Sequence, residues 1–161
     1  MKNDDGFPYG LLGEGWEVEE ARPAAFTGAT SNTRGNVAGT KSTQTLFTVT
    51  GSVLVRIFGV VTTTLVGAGL LEVGVVGNTA GLIAQVADAT TLATGDIYLA
   101  ATSTPLGARL LSDVLGPYIV ANGLTIGEKA TTTNITAGQI RYFAIWRPLS
   151  PDSKIVGISE V

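Results

Sequence analysis

One stretch of the chain, LFTVTGSVLVRIFGVVTTTLVG at residues 46–67, contains a single charge, Arg56, in its whole length. A segment this apolar leaves three options: a membrane-spanning helix, a buried helix, or a strand that is packed on both faces. A membrane helix requires about 20 consecutive, mainly apolar residues. The uncharged run between Arg56 and Glu72 is shorter and is interrupted by threonine and glycine. We therefore expect no membrane span here, and no membrane among the partners of the protein.

The residue types in this stretch favour a strand over a buried helix. Most of residues 53–64 are β-branched and Gly59 interrupts them, which lowers helix propensity and suits a pleated strand. Alternate positions from Val53 to Leu65 form one apolar face, and the positions between them form a second face that is also mostly apolar. Such a strand meets another sheet or another subunit on its second face. Gly59 is a candidate for a bulge or a bend.

After Thr45 the chain alternates short strand-like runs with turn residues. Turn signals recur about every 8 to 12 residues, a spacing typical of sandwiches, jelly rolls and small barrels. Asn122-Gly123 is the strongest of these signals and predicts a two-residue hairpin between its flanking strands. Only residues 105–116 suggest a short helical turn. We predict an all-β domain, a jelly-roll-like β-sandwich or small barrel of about 8–9 strands.

Residues 1–44 differ in composition from the predicted β-sandwich domain at residues 45–161. The first 26 residues mix acids, glycine, proline and isolated aromatics, and residues 27–44 are small and polar. A segment of this kind cannot bury enough apolar surface to fold by itself. One interpretation is a disordered terminus. The other is an extended N-terminal arm that orders on a neighbouring subunit and uses its aromatic side chains as anchors.

Charge and residue content exclude several classes of function. The chain has no cysteine and no histidine, so a disulfide and any catalytic arrangement with an imidazole base are excluded. Residues 1–20 contain six acids and one base, a net charge of −5, and the rest contains seven acids and nine bases, a net charge of +2. This distribution provides no basic footprint for direct nucleic-acid binding. Because the acids of the domain are scattered, we expect no enzyme activity, no metal site and no cofactor.

A strand that combines arginine with aromatic residues is expected at residues 139–147. Alternation places Trp146 on one face and Arg141, Phe143 and Arg147 on the other. Three interpretations stay open. The strand is a core strand with cation–π contacts at its edges, a subunit interface, in which Trp, Tyr and Arg are enriched, or a sugar-binding platform.

Three stretches of the chain show a resemblance to a known group of proteins: TLFTVTGSVLVRIFGVV, LLEVGVVGNTAGLIAQ and TNITAGQIRYFAIWRPLSPDSKIV. From about Gly35 to Val156 the sequence resembles small structural proteins of tailed bacteriophage virions. Small β-rich proteins of such phages often serve as head decoration, or cement, proteins. These sit as trimers where capsid subunits meet, and an N-terminal arm often ties them to the shell.

The resemblance implies a capsid decoration protein: a homotrimer that binds the major capsid protein on the outer head surface and stabilises the shell. The virion would be assembled in the bacterial cytoplasm, and residues 1–10 lack the apolar core of a signal peptide. The alternatives are a tail or fibre component involved in host recognition, or a carbohydrate-binding β-sandwich with Trp146 or Tyr118 as its platform. The side chains expected to bind the partner belong to the arm: Phe7, Tyr9, Trp16, Arg22, Phe26 and Arg34.

Overall fold

The computed structural model describes residues 15–101, 116–121 and 123–160. Within these ranges the protein is all-β, as predicted, with ten strands, one 3-10 turn and no α-helix. In chain order the elements are β1 (Glu17–Ala21), β2 (Thr43–Thr50), β3 (Val53–Val66), β4 (Leu70–Val75), β5 (Asn78–Val86), η1 (Ala89–Thr91), β6 (Ile97–Tyr98), β7 (Tyr118–Val120), β8 (Ile126–Thr131), β9 (Ala137–Pro148) and β10 (Lys154–Gly157).

The strands form two antiparallel sheets, which pack face to face as a β-sandwich. The first sheet has the order β1-β9-β3-β6, and β7 also pairs with β3. The second sheet has the order β10-β2-β8-β4-β5. Side chains from both sheets merge into one hydrophobic core. Tyr98 crosses between the sheets, and its hydroxyl donates a hydrogen bond of 2.7 Å to the carbonyl of Leu71.

The apolar stretch at residues 46–67 lies in β2 and β3, as predicted. The described residues contain no helix that is long and apolar enough to cross a membrane. In β3, Val53, Val55 and Ile57 point into the core and are at most 2% exposed. The residues between them are half-buried, because the second sheet packs only on the inner face.

Gly59 has a different role from the predicted bulge or bend. The irregularities in the pairing of β3 with β9 occur after Val61, whereas Gly59 lies in regular register opposite Tyr142. A Cβ atom at position 59 would lie 2.7 Å from Cγ2 of Ile140 and 3.0 Å from Cε1 of Tyr142. Glycine is needed at this position because the Tyr142 ring and the Ile140 side chain occupy the space that its side chain would fill.

The hairpin predicted at Asn122-Gly123 is not formed. The strand before it, β7, pairs with β3 in the first sheet, whereas the strand after it, β8, pairs with β2 and β4 in the second sheet. The chain therefore crosses between the sheets at this point, and the N–H of Gly123 donates to the carbonyl of Gly51 at 2.9 Å. Asn122 and nearly all of the helical turn expected at residues 105–116 lie outside the described residues.

The N-terminal part of the chain differs from the predicted arm, because it contributes a strand to the sandwich. β1 pairs with β9 along the edge of the first sheet, and Ala21 is fully buried. The following residues are tied to the chain around the start of β9: the N–H of Phe26 donates to Gly138, and the carbonyl of Gly35 accepts from Ile135, both at 2.9 Å. The folded unit therefore includes residues 17–44, on the N-terminal side of the predicted boundary at residue 45.

Candidate interaction surface

Two of the six residues expected to bind a partner, Phe26 and Arg34, lie inside the sandwich. Nε and Nη2 of Arg34 donate to the two carboxylate oxygens of Glu128 at 2.8 and 2.6 Å, and both side chains are 2% exposed. Nη1 donates to the carbonyl of Ala24 at 2.7 Å, and the guanidinium lies 3.8 Å from the centroid of the Phe26 ring. The Tyr142 hydroxyl donates to Oε2 of Glu128 at 2.5 Å. This buried cluster ties the segment before β2 to both sheets.

The surroundings of the buried cluster keep Arg34 charged and Tyr142 neutral. Burial opposes the charge of Arg34, but the attraction and hydrogen bonds of the Glu128 carboxylate outweigh it, and the pKa of Arg34 is raised above its ordinary value. Burial, together with the Glu128 carboxylate, raises the pKa of Tyr142 well above the ordinary value of 10.0. Phe26 and Arg34 are thus occupied within their own chain, and neither is presented to a partner.

The other four residues are divided between the edge strand and the undescribed terminus. Phe7 and Tyr9 lie outside the described residues. Trp16 is half-buried directly before β1, and Arg22 is exposed directly after it. Nη2 of Arg22 donates to Oε2 of Glu20 at 2.6 Å, and this ion pair lowers the pKa of Glu20. The structure therefore places Trp16 and Arg22 at the two ends of β1 and does not bring them together with Phe26 and Arg34.

A different surface has the features of an interaction site: the face of the first sheet that points away from the second sheet, which we call the outer face. Strand register arranges its side chains in four rows, each with apolar residues and one charge. The rows are Arg147, Leu54 and Ile119; Val18, Ile145 and Arg56; Glu20, Phe143 and Phe58; and Arg141, Val60 and Ile97. In the third row the two phenylalanine rings stack, with centroids 5.4 Å apart.

The side chains of the outer face differ in their exposure to solvent. Ile119 near one edge is 70% exposed and Val18 near the other is 55% exposed, whereas Ile145 is 6% exposed. The stacked Phe58 and Phe143 are half-buried. Exposed apolar side chains around an aromatic pair are characteristic of contact surfaces, where aromatic residues and arginine are enriched. The outer face is therefore our candidate interaction surface.

The charges of the outer face are mainly positive. It has three arginines, Arg56, Arg141 and Arg147, and one acid, Glu20, a net charge of +2. Glu20 pairs with Arg22 and lies 3.7 Å from Nη1 of Arg141. The Nε of Arg141 is buried and has no hydrogen-bond partner within the described ranges. A face with this charge suits an acidic partner.

Sequence alternation separated the two faces of β9 correctly, and Arg141, Phe143 and Arg147 share the outer face as predicted. Phe58 on β3 and Ile119 on β7 are two residues of the outer face that were not among the expected partner-binding residues. The apolar second face of β3 was the available signal for Phe58. Ile119 had no such signal, because β7 has only three residues and its partner strand is distant in sequence.

The sugar-platform interpretation does not fit the position of Trp146, one of its two aromatic candidates. Trp146 points into the core and is 5% exposed, so its ring is not presented to solvent. Tyr118 is half-buried and lines a cleft with Leu82 and Ile119.

Within the described ranges no group of carboxylates is placed so that it could hold a metal ion.

No protein-family model, no curated protein and no solved structure matches this chain at a significant level.

Proposed function

We propose that the protein is a structural component of a tailed-phage virion, a head decoration protein that binds the major capsid protein on the outer capsid surface as a homotrimer. The observation that supports this proposal best is the outer face, with stacked phenylalanines and exposed Val18 and Ile119 among arginines. Exposed apolar side chains that lie together on one face mark a contact surface. A subunit that is surrounded by others in a shell buries them at its contacts.

The proposed mechanism is cohesion through many contacts. Each decorating subunit would bury part of its apolar surface against the shell, with the arginines of the outer face opposite acidic groups. Because each subunit is held by several contacts at once, loss of one contact is recovered before the subunit dissociates. The shell then resists the outward pressure of the packaged DNA better than the capsid protein alone.

The buried carboxylates support a structural rather than a catalytic role. Glu128 is occupied by Arg34 in the ion pair described above. Glu72 accepts hydrogen bonds from the Thr79 hydroxyl at 2.5 Å and from Nε2 of Gln85 at 2.7 Å. A general acid or base has to reach a substrate, and these two carboxylates are held by groups of their own chain.

The test of the proposal is the copy number of the protein in purified virions, measured by quantitative mass spectrometry against the major capsid protein. A ratio near one to one supports a decoration protein that covers the shell. A few copies per particle would contradict the decoration role and move the protein to the tail or to a single vertex. Absence from particles would refute the virion proposal altogether.

A further inference from the structure

We infer that the outer face of the first sheet is the docking site for residues 1–14 of a neighbouring copy of this chain. The inference deepens the proposed function and rests on it, because it specifies how adjacent decorating subunits hold each other. The partner of the outer face is then a second copy of the chain, so the contact can be tested with purified protein and without virions.

Charge complementarity is the first argument. Residues 1–14, MKNDDGFPYGLLGE, contain three acids and one base, a net charge of −2, whereas Arg141 and Arg147 present positive charge on the outer face. The acids Asp4 and Asp5 supply carboxylates that suit Arg141, whose side chain is 42% exposed. Opposite charges of this kind select and orient a partner.

The apolar side chains of the segment are the second argument. Residues 1–14 include Phe7, Tyr9, Leu11 and Leu12, which match a surface with a stacked phenylalanine pair. The outer side of the second sheet offers no such match along β2, where the exposed positions are all threonines, as the pattern TQTLFTVT shows. The apolar side chains of the segment therefore favour the outer face of the first sheet over the exposed side of β2.

The position at which the segment joins the sandwich is the third argument. β1 runs antiparallel to β9 and begins with Glu17 opposite Trp146. The chain before Glu17 therefore leaves the sheet at the end marked by Arg147 and Pro148, away from the row that holds the phenylalanines. To cover its own outer face the segment would have to reverse direction. Fourteen extended residues reach at most about 46–50 Å, which lets the segment extend away from its own sheet.

The experiment is disulfide trapping, which is direct because the chain has no cysteine. Full-length Gly6→Cys protein is mixed under oxidising conditions with full-length Ile119→Cys protein. The matched control replaces Ile119→Cys with Val156→Cys, which lies on the second sheet and is 44% exposed, against 70% for Ile119. Thermal unfolding of each variant verifies that the fold is kept.

We expect the Gly6–Ile119 heterodimer to form about tenfold faster than the Gly6–Val156 heterodimer, because docking holds the two thiols at high effective concentration. Adding Arg147→Glu to the Ile119→Cys chain should slow trapping, whereas Lys154→Glu, at an exposed position on the second sheet, should leave it unchanged. Added salt should also slow trapping, since it screens the charge attraction.

Equal trapping rates at the two positions would overturn the inference. Trapping that occurs only within single chains of a Gly6→Cys, Ile119→Cys double variant would also overturn it, because the segment would then lie on its own sheet. Failure of the proposed function is a separate result. A protein that traps rapidly but is absent from virions refutes the decoration role, and one that is present in virions but does not trap refutes only the contact between copies.

Discussion

Replacing Glu128 with glutamine would leave the Arg34 guanidinium buried without a counter-charge. Water cannot take over the role of the carboxylate, because both side chains are 2% exposed. Removing one partner of a buried ion pair costs about 3–5 kcal/mol, since the remaining charge keeps its desolvation penalty. We therefore expect Glu128→Gln to lower the free energy of unfolding by about 3–5 kcal/mol.

The matched control is the ion pair between Lys41 and Glu160 on the surface. Its atoms are 3.1 Å apart, but its side chains are 38% and 28% exposed. Solvent screens such a pair, so Lys41→Met should cost only about 0–1 kcal/mol. The double variant Arg34→Met, Glu128→Gln removes both buried charges and should recover part of the loss, with an interaction energy of about 0.5–3 kcal/mol.

The assay is urea denaturation at neutral pH, followed by tryptophan fluorescence, to which the buried Trp146 contributes. The free energies of the parent, of the single variants Glu128→Gln, Arg34→Met and Lys41→Met, and of the double variant are compared from transitions with equal slopes. A loss below about 1 kcal/mol for Glu128→Gln, no greater than for Lys41→Met, would match a solvent-exposed pair. That result would refute both the burial of the cluster and the packing of Arg34 inside the sandwich.

Two further predictions concern the core. Unfolding free energy should be constant at neutral pH and fall as pH rises above about 10, because burial raises the pKa values of Tyr98 and Tyr142 in the folded state only. Thermal unfolding midpoints across this range would show the fall, and a flat profile would contradict it. Gly59→Ala should cost about 1–3 kcal/mol by overpacking against Ile140. In denaturant titrations the control Gly127→Ala, whose nearest contact is 3.2 Å, should cost less, and equal costs would contradict the argument.

Local patterns predicted the strands that the structure contains after Thr45. β3 was predicted because its β-branched residues alternate between two faces, and this alternation is a property of neighbouring residues alone. The outer face of β9 was assigned by the same argument. β1 was not predicted, because EVEEA has one apolar side chain between acids and no local signal of a strand. It is a strand because the edge of β9 offers it backbone hydrogen bonds.

Turn dipeptides predicted strand pairing less well than residue alternation predicted the strands. Asn122-Gly123 predicted a hairpin, but β7 and β8 belong to different sheets, because β3 pairs with β7 and β2 and β4 enclose β8. A turn dipeptide restricts only its own backbone angles. Which strands then pair depends on the burial of side chains that are distant in sequence. The dipeptide has no influence on those contacts.

The sequence by itself determined the fold class, because residue alternation, β-branching and the absence of long helical patterns are all local properties. It also determined which chemistry is excluded, since a chain without histidine and cysteine has no imidazole or thiol to use. Only the tertiary structure decided where Arg34 lies. Its partner Glu128 is 94 residues away, and an arginine is buried only when such a partner is in place. The outer face was decided in the same way, since five strands from distant parts of the chain supply its rows.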